Sequence, residues 1–282
     1  MKKLFALASL AALLSGCATT TSTTSALQKT PPAIMGAGPA VGAIDRSISA
    51  HGQEDRIQFL ILHYTAIDQA TSLRVLSQQE VSAHYLVGND DPVTVWQLVD
   101  EKNMAYHAGL SDWKGYSRLN ASSIGIEIVN LGYKDTPEGR VYYPFPQAQI
   151  DRVIALVKDI VARHHIRPEY ILAHAEIAPQ RKPDPGPLFP WKQLADAGLI
   201  TWPDEATATR LQQVFETNPP DIQWYQQQLA RIGYAVPQTG VLDEATKNVL
   251  IAFQTKYRPM KFDGQPDAQT ASLIAALLAK MK

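Results

Sequence analysis

Residues 173–191 read Ala173-His-Ala-Glu-Ile-Ala-Pro-Gln-Arg-Lys-Pro-Asp-Pro-Gly-Pro-Leu-Phe-Pro-Trp191. An apolar run ends on His174, and Asp184 follows inside a loop stiffened by prolines. A histidine at a strand end and an aspartate on a rigid loop are two candidate metal ligands. Catalytic zinc takes three protein ligands of N, O or S type and leaves the fourth position to water, so a third donor must come from elsewhere. His63 is the best one. It closes the apolar run Gln58-Phe59-Leu60-Ile61-Leu62, and two neighbouring strand ends can bring their terminal side chains within coordination distance. One zinc ion on His63, His174 and Asp184, with a position left open, is a hydrolytic site. Each ligand has a blander alternative: a strand-end histidine is commonly a hydrogen-bonded structural residue, and Asp184 between two prolines can simply brace a turn.

Working outward, residues 46–205 alternate strand-like and helix-like segments. Strands are predicted at 58–64, 84–87, 94–98, 123–129 and 170–174, each short and rich in β-branched or aromatic residues. The clearest helix spans Pro146 to His165, where Ile150, Val153, Ile154, Val157, Ile160 and Val161 recur at three- and four-residue steps. A second helix is predicted over 72–79 and a third begins near Pro190. The fold class is therefore α/β, a mixed central β-sheet flanked by helices. Residues 218–282 form a different object, a small C-terminal three-helix bundle. Two echoing segments, Gly240-Val-Leu-Asp243-Glu-Ala-Thr246 and Gly264-Gln-Pro-Asp267-Ala-Gln-Thr270, each offer an aspartate N-cap before apolar residues at helical spacing. A preceding helix, from about Asp221 to Ile232, ends at Gly233, a good C-terminal stop.

The run Ser123-Ile-Gly-Ile-Glu127-Ile-Val129 sets a carboxylate among apolar residues. That placement is costly unless the carboxylate has a partner or a task. Glu127 suits a general base, because an apolar setting raises a carboxylate's pKa toward the working range. Lys182 in the proline-rich loop suits the developing oxyanion; beside Arg181 it also reads as a solvated loop lysine. His84 and His107 remain as alternative ligands or substrate contacts; His107, two residues before Gly109 and ahead of Trp113, is placed on the cleft wall as a substrate contact, and Trp113, Arg118 and Asn120 on the peptide groove. His84 reads as structural, and His164 and His165 close a helix and receive no chemistry. His174-Ala175-Glu176 matches the His-x-Glu of zinc deaminases, but Cys17 is the sole cysteine, so the required Cys-x-x-Cys is missing. No His-Glu-x-x-His and no Gly-x-Ser-x-Gly occurs, which removes the commonest zinc peptidase helix and the serine hydrolases.

Residues 1–16 read as an export signal: Lys2 and Lys3, then an apolar stretch over Leu4 to Leu14 too short to cross a bilayer, then small residues. Leu14-Ser15-Gly16-Cys17 resembles a bacterial lipobox, which makes Cys17 the lipidated first residue of a 266-residue mature chain. Ala18 after it implies sorting to the outer membrane, facing the periplasm. Residues 17–45, rich in Thr, Ser, Gly and Pro, read as a flexible tether with a mean span of ~30 Å. Loss of residues 1–16 removes two lysines from 26 basic and 27 acidic residues, leaving a formal charge of −3. No basic stripe is present, so nucleic acid is not an expected partner.

With these motifs in place, the chain resembles the zinc-dependent N-acetylmuramoyl-L-alanine amidases related to bacteriophage lysozyme-amidases and peptidoglycan recognition proteins. The resemblance is carried by 61–66 (Ile-Leu-His-Tyr-Thr-Ala), 81–87 (Val-Ser-Ala-His-Tyr-Leu-Val), His107-Ala108-Gly109, Ser123–Glu127 and the whole of 173–191. It implies zinc on His63, His174 and Asp184, with assistance from Glu127 and Lys182. It also implies a substrate: the amide between N-acetylmuramic acid, intact or 1,6-anhydro, and the L-alanine of the stem peptide, in peptidoglycan or its muropeptide fragments. The tail resembles a peptidoglycan-binding three-helix module through Gly233-Tyr234, Asp243-x-x-Thr246, Phe253-Gln254 and Asp263-Gly264, although Arg258–Phe262 departs from the usual short link. A lipid-anchored monomer is expected. The alternative from another class is a non-catalytic peptidoglycan receptor or tether; such relatives lose a ligand, whereas all three candidates stand here beside Glu127 and Lys182.

Overall fold

In the computed structural model, residues 42–281 are described, so Cys17, the lipobox and most of the tether segment lie outside the described residues. Residues 42–52 belong to a unit of their own and are exposed, without helix or strand. From Gln53 onward the chain forms one unit. Its elements are β1 (Phe59–Tyr64), α1 (Gln69–Gln78), β2 (Tyr85–Val87), β3 (Val95–Gln97), β4 (Asp112–Trp113), β5 (Tyr116–Ser117), β6 (Ser123–Ile128), β7 (Tyr133–Thr136) and β8 (Gly139–Tyr142). They are followed by α2 (Gln147–His164), β9 (Ile171–Ala173), α3 (His174–Ile177), α4 (Trp191–Asp196), α5 (Glu205–Thr217), α6 (Ile222–Ile232), α7 (Glu244–Tyr257) and α8 (Ala268–Lys280).

The five predicted strands form one sheet in the order β3-β2-β6-β1-β9. β2, β6, β1 and β9 run parallel and β3 pairs antiparallel with β2, so the sheet is mixed, as the sequence implies. All six residues of β1 are buried, the signature of a strand covered on both faces. Helix α2 presents Ile150, Val153, Val157 and Ile160 to the core, the face read from its periodicity. The β4–β5 and β7–β8 hairpins were not foreseen: two- to four-residue strands are too short to show a period.

Register places the chemistry. β1 and β6 pair with His63 opposite Glu127, and β1 and β9 pair with Leu62 opposite Ala173, one residue before His174. Paired residues on adjacent strands share a face, so three sequence-distant side chains line up along one end of three neighbouring strands.

The three tail helices form as expected, with Asp221, Asp243 and Asp267 accepting from the backbone N–H groups of Trp224, Thr246 and Thr270 at 2.8 Å each. The echo runs deeper than its capping aspartates. Gln226 and Gln254, both fully buried, each accept from a loop glycine, Gly240 and Gly264, at 2.8 Å. Each also donates to the threonine of its echo, Thr246 at 2.8 Å and Thr270 at 3.1 Å. α5, which the sequence reading did not assign, packs along α8. Leu229, Val249, Leu250, Phe253, Ile274 and Leu277 of this region share a single apolar cluster with the sheet and α2. Among the described residues no helix is long and apolar enough to cross a membrane.

Candidate metal centre and catalytic cleft

His63 and His174 bring their Nδ1 atoms to 2.9 Å of each other, and each lies 3.1 Å from Asp184 Oδ2. The three donor atoms form a nearly equilateral triangle of buried groups. Its edges are a little shorter than the ~3.3 Å that separates ligands on a tetrahedral shell with bonds of ~2.0 Å. The hydrogen bonds on the far side of each ring assign its tautomer. His174 Nε2 lies 3.2 Å from the carbonyl oxygen of Ala108 and must donate to it. His63 Nε2 lies 3.1 Å from His107 Nδ1, His107 Nε2 lies 3.2 Å from Ser123 Oγ, and Ser123 donates to the Leu119 carbonyl at 2.6 Å. Because that carbonyl can only accept, protons point outward along the whole chain, from His63 to His107 to Ser123 to Leu119. Both Nδ1 lone pairs are therefore left facing each other and a carboxylate. Three lone-pair donors of this kind in a buried triangle suit a divalent cation, and nitrogen and oxygen donors without thiolate suit zinc.

The electrostatics agree with that fit. Burial, and then the neighbouring His174 ring, press the His63 pKa down to about 4, so the His63 ring is neutral at physiological pH. Burial alone would raise Asp184, but His174 and His63 hold it far below the usual carboxylate range. His107 is likewise driven well down by burial and by His63, His84 and His174.

Glu127 stands beside His63 in the register and lines a cavity of about 380 Å³ with His107, His174, Lys182 and Asp184. Its Oε2 is withdrawn from solvent without a hydrogen-bond partner among the described residues. Burial, reinforced by the Asp184 charge and opposed by Lys182, pushes Glu127 up to about 8. Lys182 is exposed and rims both this cavity and an adjoining one of about 630 Å³. The second cavity is walled by the β7–β8 hairpin, the proline-rich loop and α7.

Not every expected residue reaches the cleft. Trp113 is 1% exposed and turns toward the C-terminal helices, edge-on to Tyr234 with ring centroids 4.9 Å apart, so its placement on the peptide groove is corrected. A large flat side chain gains more from the apolar seam that Gly233 opens than from a solvated groove. Arg118 is exposed in a left-handed turn (φ 55°) and lines neither cavity. Asn120 acts on the backbone: its Oδ1 accepts from the N–H groups of His107 and Ala108 at 3.2 and 2.7 Å. His107 does border the cavity, but both its ring nitrogens are engaged by His63 and Ser123. His84 Nδ1 accepts from the Gly125 N–H at 3.0 Å, a structural role as expected. Sequence reasoning missed Arg181, which donates to the carbonyl oxygens of Ala108 and Leu110 and pins the loop that receives His174. It also missed Ser123, whose only signal was its place at the head of the Glu127 strand.

Residues 53–187 match the family model described as N-acetylmuramoyl-L-alanine amidase, and residues 218–274 match the model described as "Putative peptidoglycan binding domain". The chain is 43% identical over 243 residues to N-acetylmuramoyl-L-alanine amidase AmiD of Escherichia coli (strain K12), covering 84% of this chain and 88% of that protein. It is 34% identical over 114 residues to the 1,6-anhydro-N-acetylmuramyl-L-alanine amidase AmpD of Enterobacter cloacae, covering 40% and 55%. Among solved structures, the complex of E. coli AmiD with its substrate anhydro-N-acetylmuramic acid-L-Ala-D-γ-Glu-L-Lys superposes with a TM-score of 0.78 at 42% identity, covering 84% and 94%. AmpDH3 of Pseudomonas aeruginosa in complex with an anhydromuramic pentapeptide superposes with a TM-score of 0.79 at 36% identity, covering 86% and 99%.

Proposed function

The chain belongs to the N-acetylmuramoyl-L-alanine amidase family, and from that premise we propose how its own residues cleave the amide between N-acetylmuramic acid, intact or 1,6-anhydro, and the L-alanine of the stem peptide. The observation that carries the reading is the inward-facing triangle of His63 Nδ1, His174 Nδ1 and Asp184 Oδ2 with Glu127 in register beside it. These three residues would hold one zinc ion. When bound, zinc would polarise the scissile carbonyl and acidify water, and its charge would favour the ionised form of Glu127. The Glu127 carboxylate takes a proton from the attacking water as the new C–O bond forms, then delivers it to the L-alanine nitrogen as the C–N bond breaks. Lys182 Nζ, at the cavity rim, offers its positive charge to the oxyanion. His107 and Ser123 hold the His63 tautomer, and Asn120 and Arg181 hold the loop whose Ala108 carbonyl holds that of His174.

The proposal extends to address and assembly. Leu14-Ser15-Gly16-Cys17 followed by Ala18 supports a lipid anchor on Cys17 in the outer membrane, with the amidase facing the periplasm. One copy of the chain supplies the triangle, Glu127 and Lys182, which supports a monomer as the working unit. The test is release of stem peptide from purified peptidoglycan, with and without a chelator, alongside the zinc content of the wild type, His174→Ala and Glu127→Gln. The wild type should release intact stem peptide only when zinc-loaded, and His174→Ala should lose the metal. Glu127→Gln should keep zinc and lose 10²–10⁴-fold in kcat, the range of a general base. Full turnover by Glu127→Gln would remove that residue from the chemistry.

A further inference from the structure

β9 is an edge strand of the sheet, paired with β1 on one side only. Its outer edge presents the Ile171 carbonyl and the Ala173 N–H one residue before His174, and buried backbone groups of this kind need partners. Neither partner is another strand. Lys256 Nζ, from α7, donates to the Ile171 carbonyl at 3.2 Å, and Glu176 Oε2 accepts from the Ala173 N–H at 2.8 Å. The two side chains join each other at 2.7 Å, with side-chain exposures of 3% and 1%. Tyr234, just after α6, donates to the other oxygen, Glu176 Oε1, at 3.0 Å. The Lys256 ammonium also sits 4.4 Å from the centre of the Trp191 ring, at the start of α4.

Resting on the reading of His63, His174 and Asp184 as a zinc site, we propose that Glu176, Lys256 and Tyr234 are positioning residues for the metal ligand His174, so that the C-terminal helices complete the metal centre as well as flanking the cleft. An ion pair with this little exposure is a poor source of net stability, because desolvating both charges offsets their attraction. What it provides is geometry. The carboxylate has its partners arranged around it: a backbone N–H two bonds from the His174 peptide, an ammonium and a phenol. Together they tie the turn that carries His174 to two separate points of the C-terminal helices. Released from them, the edge of β9 and the His174 ring are free to rotate away from the triangle.

The experiment uses the full chain. Lys256→Met and Tyr234→Phe are prepared beside the wild type, and zinc affinity is read by competition with a chromogenic chelator, thermal stability on metal-free protein, and kcat and KM at limiting and at excess zinc. Outer-shell partners of metal ligands typically contribute 10–100-fold in affinity, so each variant should bind zinc about tenfold more weakly. Its kcat should fall at limiting zinc and recover at excess zinc, with KM unchanged. Affinities within twofold of the wild type, accompanied by a fall in the melting temperature of the metal-free protein, would overturn the inference and leave the cluster a structural buttress. If Lys256→Met does not fold, Tyr234→Phe, which loses one hydroxyl, decides alone. A wild type that binds no zinc would defeat the metal reading and this inference with it, whereas zinc binding unaltered in the variants defeats this inference only.

Discussion

Gly125→Ala is the sharpest test of how the metal centre is held. A Cβ at this position would lie 2.4 Å from Cγ of His107 and 2.6 Å from its Cδ2 and Nδ1. Ordinary contact between carbon atoms needs ~3.5 Å, so the imidazole must retreat by roughly 1 Å. The 3.1 Å hydrogen bond from His63 Nε2 to His107 Nδ1 then lengthens past any useful distance. His63 is 1% exposed, and an orphaned buried donor costs ~1–3 kcal/mol. Overpacking adds ~1–3 kcal/mol, so the whole effect is ~2–6 kcal/mol, a fall of roughly 4–24 °C in melting temperature for a unit of this size. The same displacement frees the His63 ring to rotate, which should weaken zinc by ~10–100-fold. Urea unfolding of the metal-free protein and chelator competition measure the two effects separately. Adding His107→Ala should relieve the clash and recover the overpacking part of the loss without recovering zinc affinity, because the acceptor for His63 is still missing. Wild-type zinc affinity in Gly125→Ala, with a stability loss under ~1 kcal/mol, would refute the reasoning.

Other outcomes follow from the same geometry. Trp113→Ala should lose ~3–5 kcal/mol of stability as a large core truncation while KM stays within about twofold of wild type; a several-fold rise in KM at unchanged stability would return Trp113 to the groove. Lys182→Met should lower kcat by about 10²-fold. Because Lys182 lowers the Glu127 pKa, and the base must be ionised to act, the acid limb of the pH–rate profile should also move to higher pH in this variant; an unmoved limb would argue against the pairing. Burial alone would raise Glu101, but hydrogen bonds from Arg163, Tyr85 and His164 hold it down to about 2. Its folded value lies below the unfolded one, so its contribution is present above pH ~4.5 and is lost as pH falls toward 2. Glu101→Gln should therefore cost about 1 kcal/mol at neutral pH and flatten the stability profile over that acid window, as urea titrations at several pH values would show.

How much of this was legible in the chain depends on the range of the interaction concerned. The apolar runs ending on His63 and His174, the rigid loop around Asp184, the carboxylate among isoleucines at Glu127 and the capping aspartates at 243 and 267 are local patterns. Their physics acts over a few residues, through alternation along a strand, periodicity on a helix or a side chain reaching three residues ahead, so they could be read directly, and the mixed sheet with them. Chemistry also chose the ligands: with Cys17 the only thiol, histidine and carboxylate remained. The sequence did not indicate which face a loop residue would present. Trp113 looked like a groove residue and is buried against Tyr234, His107 looked like a substrate contact and orients His63, and Asn120 serves the backbone of the loop before it. Glu176 entered the sequence reading only as half of a rejected deaminase motif, because its partner Lys256 lies eighty residues away. Alignment of His63, Glu127 and His174 on one end of the sheet, and the seating of the C-terminal helices beside them, were settled only in the tertiary structure. Strand register and long-range burial depend on how whole surfaces fit together, and spacing along the chain does not encode that fit.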